Sequence, residues 1–234
     1  MGDLYICLNV YMEAALLPEC LASVKQFIPN ARLVAVDGPY AAFVQQSKLL
    51  AAQAYSEGHV TRGDALAAFT TPVSNDGTLD ILHQAGAMVI TNGSPWEDEY
   101  TKRSRYFVGK PGDTYFVLDA DERLSGPLPT VDFGRSKDWC VNLLRDDMKN
   151  TYPVLRYHAH DDGMRYRGAH HALWRGENLV KRDDVSPEFT IPDIHLIHRW
   201  CYRAERDPSR HSVKGAYYRD LSRTEAVFRQ QNGI

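Results

Sequence analysis

An apolar run that ends in acid constrains this chain more than any other feature. Tyr115-Phe116-Val117-Leu118 has the pattern of a short buried strand, and it leads directly into Asp119-Ala120-Asp121-Glu122. Carboxylates packed this closely at a strand end repel one another. Covering that edge is costly unless a cation or a set of donors compensates. Hard oxygen ligands of this kind suit Mg²⁺ or Mn²⁺, usually alongside phosphate oxygens. An isolated D-x-D reads more plainly as a solvated turn, so its surroundings decide.

Those surroundings alternate strand and helix. Leu4 to Leu8 reads as a buried strand, and Leu17, Leu21, Val24 and Ile28 recur at helical spacing behind Pro18. Arg32 to Val36 is a second strand, closed by the turn signal Asp37-Gly38-Pro39. A helix over Thr78 to Ala85, a strand at Met88 to Ile90 and a helix over Tyr100 to Val108 lead to the strand before the acid. Such alternation predicts an open α/β sheet. After Pro127 the pattern changes to strands of a meander at Trp139–Leu143, Val154–Tyr157 and Arg165–Arg167, with a basic, aromatic helix from about Ser209 to Arg229. One domain is expected over 1–234, a first half at 1–125 and a second at 126–234. Residues 40–75 interrupt the alternation. Ala41 to Tyr55, rich in Ala, Gln and Leu, should be helical by propensity.

Composition excludes other classes. The chain has 234 residues, 44% hydrophobic and 24% charged, which suits a globular protein and not a disordered one. No apolar run approaches the roughly 20 residues that span a bilayer. The N-terminus lacks the basic region of a signal peptide. Cys7, Cys20, Cys140 and Cys201 form no C-x-x-C pair, as expected of reduced thiols in a cytoplasmic protein. Residues 1–100 carry 4 Lys and Arg against 11 Asp and Glu, and residues 101–234 carry 23 against 19. The second half is therefore the better place for an anion.

Taken in order, Asn9-Val10-Tyr11-Met12-Glu13 after the first strand, Asp37 ending the second, Ser74-Asn75-Asp76-Gly77-Thr78 opening a helix, Lys102-Arg103, and Asp119-Ala120-Asp121-Glu122 form a set. This set resembles the family 2-like glycosyltransferases with the GT-A fold, over roughly residues 4–125. The resemblance implies a Rossmann-like mixed sheet flanked by helices, with a smaller C-terminal α+β region that completes the acceptor and metal sites. It also implies a nucleotide-sugar donor, UDP-sugar ahead of GDP-sugar, and a divalent cation. Asn9, Val10 and Tyr11 would line the base pocket, Asp37 would hydrogen-bond the base or ribose, and Arg103 would lie near base and diphosphate. Asp119 would face the ribose, and Asp121 would bind the metal. Two departures stand out. Met12 occupies a position where the family usually has Asn, and the 40–75 segment splits a motif that is normally continuous.

Seven of the nine histidines fall between 158 and 211. Tyr166-Arg167-Gly168-Ala169-His170-His171 loosely resembles a Y-x-G-x-x-H-E stretch, which would put His171 in the position of the acceptor base. Ile197-His198-Arg199-Trp200 resembles the late strand that returns a His to the metal, with His198 preferred over His195. Asp147, after the strand at Val141–Leu144, is a second candidate base. Arg199, Arg203, Arg206, Arg210, Lys214 and Arg219 offer diphosphate clamps. The acceptor would be a saccharide, a lipid-linked glycan, a protein or a modified nucleic-acid base. Two other classes compete. A nucleotidyltransferase or nucleotide-sugar pyrophosphorylase would carry a Gly-rich phosphate loop after the first strand, where this chain has Asn9 to Ala15. A non-catalytic carbohydrate- or nucleic-acid-binding module would have no need of the acidic turn.

Overall fold

The structure is a computed structural model that describes residues 2–59, 61, 71–168, 172–180 and 189–199. His170, His171, Trp200, Cys201, the tail cations from Arg203 onward and the helix expected at 209–229 lie outside the described residues, whereas Arg199 is described and pairs with Glu19 (3.5 Å). In chain order the first part comprises β1 (Leu4–Val10), α1 (Leu17–Phe27), β2 (Arg32–Asp37), α2 (Ala41–Ser56), α3 (Thr78–Gln84), β3 (Met88–Ile90), α4 (Glu99–Arg103) and β4 (Thr114–Asp119). The second part comprises β5 (Glu122–Leu124), β6 (Asp138–Arg145), β7 (Tyr152–Ala159), β8 (Met164–Tyr166), β9 (Leu173–Arg175), β10 (Asn178–Val180) and β11 (Thr190–His198).

Among the described residues the main sheet has eight strands in the order β3-β2-β1-β4-β7-β6-β11-β5. Strands β1 to β4 are parallel, β7 runs antiparallel to β4 and β6, and β11 is parallel to β6 and antiparallel to β5. This is a mixed, Rossmann-like α/β fold of the GT-A type. Burial on both faces explains why β1 reads as a continuous apolar run. Ile6, Leu8 and Val10 pack with Leu17, Cys20 and Val24 of α1 on one side. Tyr5 and Cys7 pack with Tyr106, Tyr115 and Tyr166 on the other. Cys7, Cys20 and Cys140 are buried free thiols. No helix of the described residues is long and apolar enough to cross a membrane.

The register levels the carboxyl ends of three strands. Asn9 lies beside Val36 and Asp119, and Val10 lies beside Asp37. The chain leaves β1 for β2 on one side and reaches β4 on the other. The crevice outside those strand ends is therefore a topological switch point, where open α/β sheets bind ligands.

Several elements depart from the pattern expectation. The helix expected over 100–108 is α4 followed by a single 3₁₀ turn, Ser104–Tyr106. It stops there because Gly109, Pro111 and Gly112 cannot extend it. The expected meander is divided. β6 and β7 extend the main sheet, whereas β8 joins β9 and β10 in a separate three-stranded antiparallel sheet. Strands β5, β9 and β10 have three residues each, too short and polar for a periodicity to register. β11 begins well before Ile197. Its register shifts between Ile191 and His195, around Pro192, which has no N–H to donate to a ladder.

Candidate functional site

The acidic turn is held by side chains from three other elements. Arg103 of α4 donates from Nε to Glu99 Oε1 (2.9 Å) and from Nη2 to Asp119 Oδ1 (2.9 Å). Arg156 of β7 donates from Nη2 to Asp119 Oδ2 (3.2 Å) and to Glu122 Oε1 (2.7 Å). The Asp119 amide donates to Glu122 Oε2 (2.9 Å). Both guanidiniums, Glu99 and Glu122 are buried, whereas the Asp119 side chain keeps 23% of its exposure. Asp119 is thus the carboxylate of this group that still faces the crevice.

His198 reaches the turn from the last described strand. Antiparallel pairing sets it beside Glu122, and its Nε2 lies 3.1 Å from Asp121 Oδ2. Backbone bonds fix the approach: the Arg199 amide donates to the Asp121 carbonyl (2.8 Å), and the Asp146 amide donates to the His198 carbonyl (3.0 Å). His195 occupies the strand position opposite Asn142. Among the described residues no group of three or more His, Cys, Asp or Glu side chains converges as a metal cage.

The electrostatics follow from this crowding. Burial pushes the Glu122 carboxyl up to about 7; the Asp119 charge adds to the rise, and Arg156 opposes it. Burial of the His198 ring disfavours its cation, but Asp121, Glu122 and Asp119 more than reverse that and hold its pKa above the ordinary imidazole value. The turn carries more acid than base, a setting that favours a cation.

The opposite rim is built around Asp37. Fully buried, its carboxylate accepts from the Ser74 amide (2.8 Å) and the Ser74 hydroxyl (2.6 Å). Ser74 Oγ also accepts from the Met12 amide (2.7 Å), and Thr78 Oγ1 accepts from the Glu13 amide (2.7 Å). The motif split by residues 40–75 is thereby rejoined in space. Met12 sits at φ 55°, in the left-handed region that Asn adopts more readily than Met. Lys102, buried beside Arg103, donates to the carbonyls of Val10 (2.7 Å) and Gly38 (2.6 Å) and ties the ends of β1 and β2 together.

Several expected donor residues are thus engaged inside the protein. The Tyr11 ring packs edge-on against Phe43 of α2, and its hydroxyl donates to the Thr71 carbonyl (3.0 Å). Asn9 Nδ2 donates to the Tyr40 hydroxyl (2.5 Å). Asp147 is exposed and held by Arg145 through Nε (2.9 Å) and Nη2 (2.6 Å). Those bonds keep its carboxyl below the ordinary carboxylate range, the opposite of what a general base needs.

No family model matches the chain. The search of curated proteins likewise finds no match. Among solved structures the chain is similar to TarS of S. aureus. The structure of TarS residues 1–349 gives a TM-score of 0.42 at 12% identity, covering 63% of this chain and 37% of that one. The same fragment in complex with UDP gives 0.43 at 12% identity, with the same coverage. A third TarS structure gives 0.45 at 9% identity over 84% of this chain and 36% of that one. This chain thus spans little more than a third of the TarS structures, and its fold assignment rests on the strand order above.

Sequence reasoning passed over Arg156. Its signal was a lone cation in the apolar strand Val154-Leu155-Arg156-Tyr157. Such a charge is buried only where acid waits for it.

Proposed function

We propose that the chain is a glycosyltransferase that takes a sugar from a nucleotide-sugar, with Mn²⁺ or Mg²⁺ held between the donor diphosphate and Asp121. The observation that carries this reading is the meeting of Asp121 Oδ2 and His198 Nε2 at 3.1 Å, from residues 77 apart in sequence. One carboxylate oxygen and one imidazole nitrogen do not close a coordination shell. Asp121 and His198 are donors that would hold such a cation alongside donor phosphate oxygens, and the imidazole would favour Mn²⁺ over Mg²⁺. When bound, the cation supplies Lewis-acid stabilisation of the departing diphosphate.

The chain's own residues do the rest. Asp119, braced by two guanidiniums, accepts from a ribose hydroxyl at the crevice. Asn9 and Val10 form the base-side wall, with Tyr11, Asp37 and Arg103 fixing that wall from behind. The acceptor hydroxyl needs a base, and Asp147 takes that role only where acceptor binding breaks its pair with Arg145. His171 is the alternative base. UDP is the donor nucleotide to test first.

Thermal unfolding with UDP, with and without Mn²⁺, tests the reading. Ligand at 100 times its dissociation constant should add about 2.7 kcal/mol of stability. A shift that requires both components supports the proposal. No shift with any nucleoside diphosphate, or the same shift without metal, overturns it.

A further inference from the structure

Arg156 lies within β7 at 4% exposure, remote in sequence from the turn it serves. Its Nη2 reaches Asp119 Oδ2 at 3.2 Å and Glu122 Oε1 at 2.7 Å. Those two residues flank Ala120-Asp121, so a single guanidinium nitrogen closes the turn from beneath. The amide of Asp119 closes it a second time on Glu122 Oε2 (2.9 Å). Arg103 takes the other Asp119 oxygen (2.9 Å), which leaves that carboxylate one orientation. Asp121, between the clamped residues, meets His198.

We propose that Arg156 is a positioning residue: it holds Asp119 and Glu122 against their mutual repulsion, so that Asp119 and Asp121 face a nucleoside diphosphate. The clamp is a matter of geometry alone, and its purpose rests on the transferase reading. It makes the donor site depend on a strand of the second half. Without its guanidinium the pair would separate or take up a proton, and either change undoes the arrangement of the two carboxylates.

A bystander counter-ion would occupy the same place, so the test separates charge from position. Arg156→Lys keeps the charge but withdraws the Nη2 position that meets both carboxylates, because the shorter side chain ends before it. The double variant Arg156→Met/Glu122→Gln removes one charge of each sign and keeps an amide oxygen for the Asp119 amide. The double variant also guards against the unfolding expected of an uncompensated buried carboxylate. Hydrogen exchange at residues 119–123 reports the turn, and calorimetry of UDP with Mn²⁺ reports the site. In both variants the turn amides should exchange about tenfold faster, the scale of a net hydrogen bond. UDP affinity should fall about 10- to 100-fold, as when a residue supporting a metal ligand is lost. The melting temperature of the double variant should stay near that of the wild type.

Wild-type affinity in either variant overturns the proposal, whether or not the turn has loosened, and so does an unchanged turn. If the unaltered protein binds no nucleoside diphosphate and the variants still loosen the turn, the transferase reading falls and the clamp stands. If the unaltered protein binds UDP and the variants keep both exchange and affinity, the clamp falls and the reading stands.

Discussion

At the ends of β1 and β4 the carboxylates of Glu99, Asp119 and Glu122 meet the guanidiniums of Arg103 and Arg156. Where the small sheet meets the large one, the Asp138 carboxylate meets Arg175 and His158, and Asp161 Oδ2 lies 3.6 Å from Arg175 Nη1. Arg175 donates from Nε to Asp138 Oδ2 (2.9 Å) and from Nη2 to Oδ1 (2.8 Å), and His158 Nδ1 lies 2.8 Å from Oδ1. Arg175 also caps the carbonyls of Lys137 (3.1 Å) and Ala159 (3.0 Å). The two clusters hold similar groups with opposite balance. Burial and surplus acid raise Glu122 to about 7. Burial works against the Asp138 carboxylate as well, yet His158 and Arg175 outweigh it and hold Asp138 down to about 2. A cluster with surplus acid is ready for a cation, whereas a balanced one is a staple between sheets.

The sharpest way to break this contrast is to remove one carboxylate from each cluster. Asp121→Asn takes a charge from the crowded turn and little core volume. Turnover of a nucleotide-sugar should fall at least about 100-fold, as befits several kcal/mol of lost metal-borne charge stabilisation. Stability should move by no more than about 1 kcal/mol, because relief of the turn's surplus acid offsets the lost bond to His198. Steady-state kinetics at saturating donor and metal, paired with a denaturant melt, reads both. Wild-type turnover would remove Asp121 from the metal site.

Asp138→Asn should behave in the reverse way. A folded pKa of about 2 against 3.8 for the free group corresponds to about 2 kcal/mol of stability. Because the folded pKa is the lower one, that contribution is fully present above pH 3.8 and disappears as pH falls through 2. The variant should thus be less stable at pH 7 by about that amount, with the gap narrowing below about pH 4. Its UDP affinity should stay within about twofold, since an isolated change away from the site is worth only tenths of a kcal/mol there. A constant gap from pH 7 to pH 3, measured by urea unfolding, would show that shape and not charge holds the staple.

The sequence revealed the two clusters unequally. The acidic turn announces itself because its carboxylates are contiguous, and the strand ahead of it shows where they end up. Asp121 and His198 share no local pattern. Only the family resemblance pairs them, and the structure sets them 3.1 Å apart. The staple stays hidden because Asp138, His158 and Arg175 each look like ordinary polar residues at or near strand ends. Their meeting depends on β9 packing into a second sheet, which no periodicity encodes. The same holds for Asp37. Its position at a strand end was legible, whereas its bonds to Ser74 depend on how the chain returns after α2.

A third change asks whether the crevice stores strain as well as charge. Met12 follows β1 at φ 55°, with its amide on Ser74 Oγ at 2.7 Å and its sulfur 3.4 Å from the Asn75 amide. A side chain with a full Cβ substituent costs about 1–2 kcal/mol in that conformation, and Asn relieves part of it. Met12→Asn should therefore stabilise the protein by about 1 kcal/mol or less, because the φ is kept and only its cost falls. No such gain is available at the staple, where no residue of the cluster has a positive φ. If strain at the crevice serves recognition, the gain in stability will come with weaker UDP binding. If it is incidental, stability will rise and UDP affinity will hold. A loss of stability, measured by urea unfolding, would mean that the Met12 sulfur contact outweighs the backbone cost. The contrast between a strained crevice and a relaxed staple would then rest on charge alone.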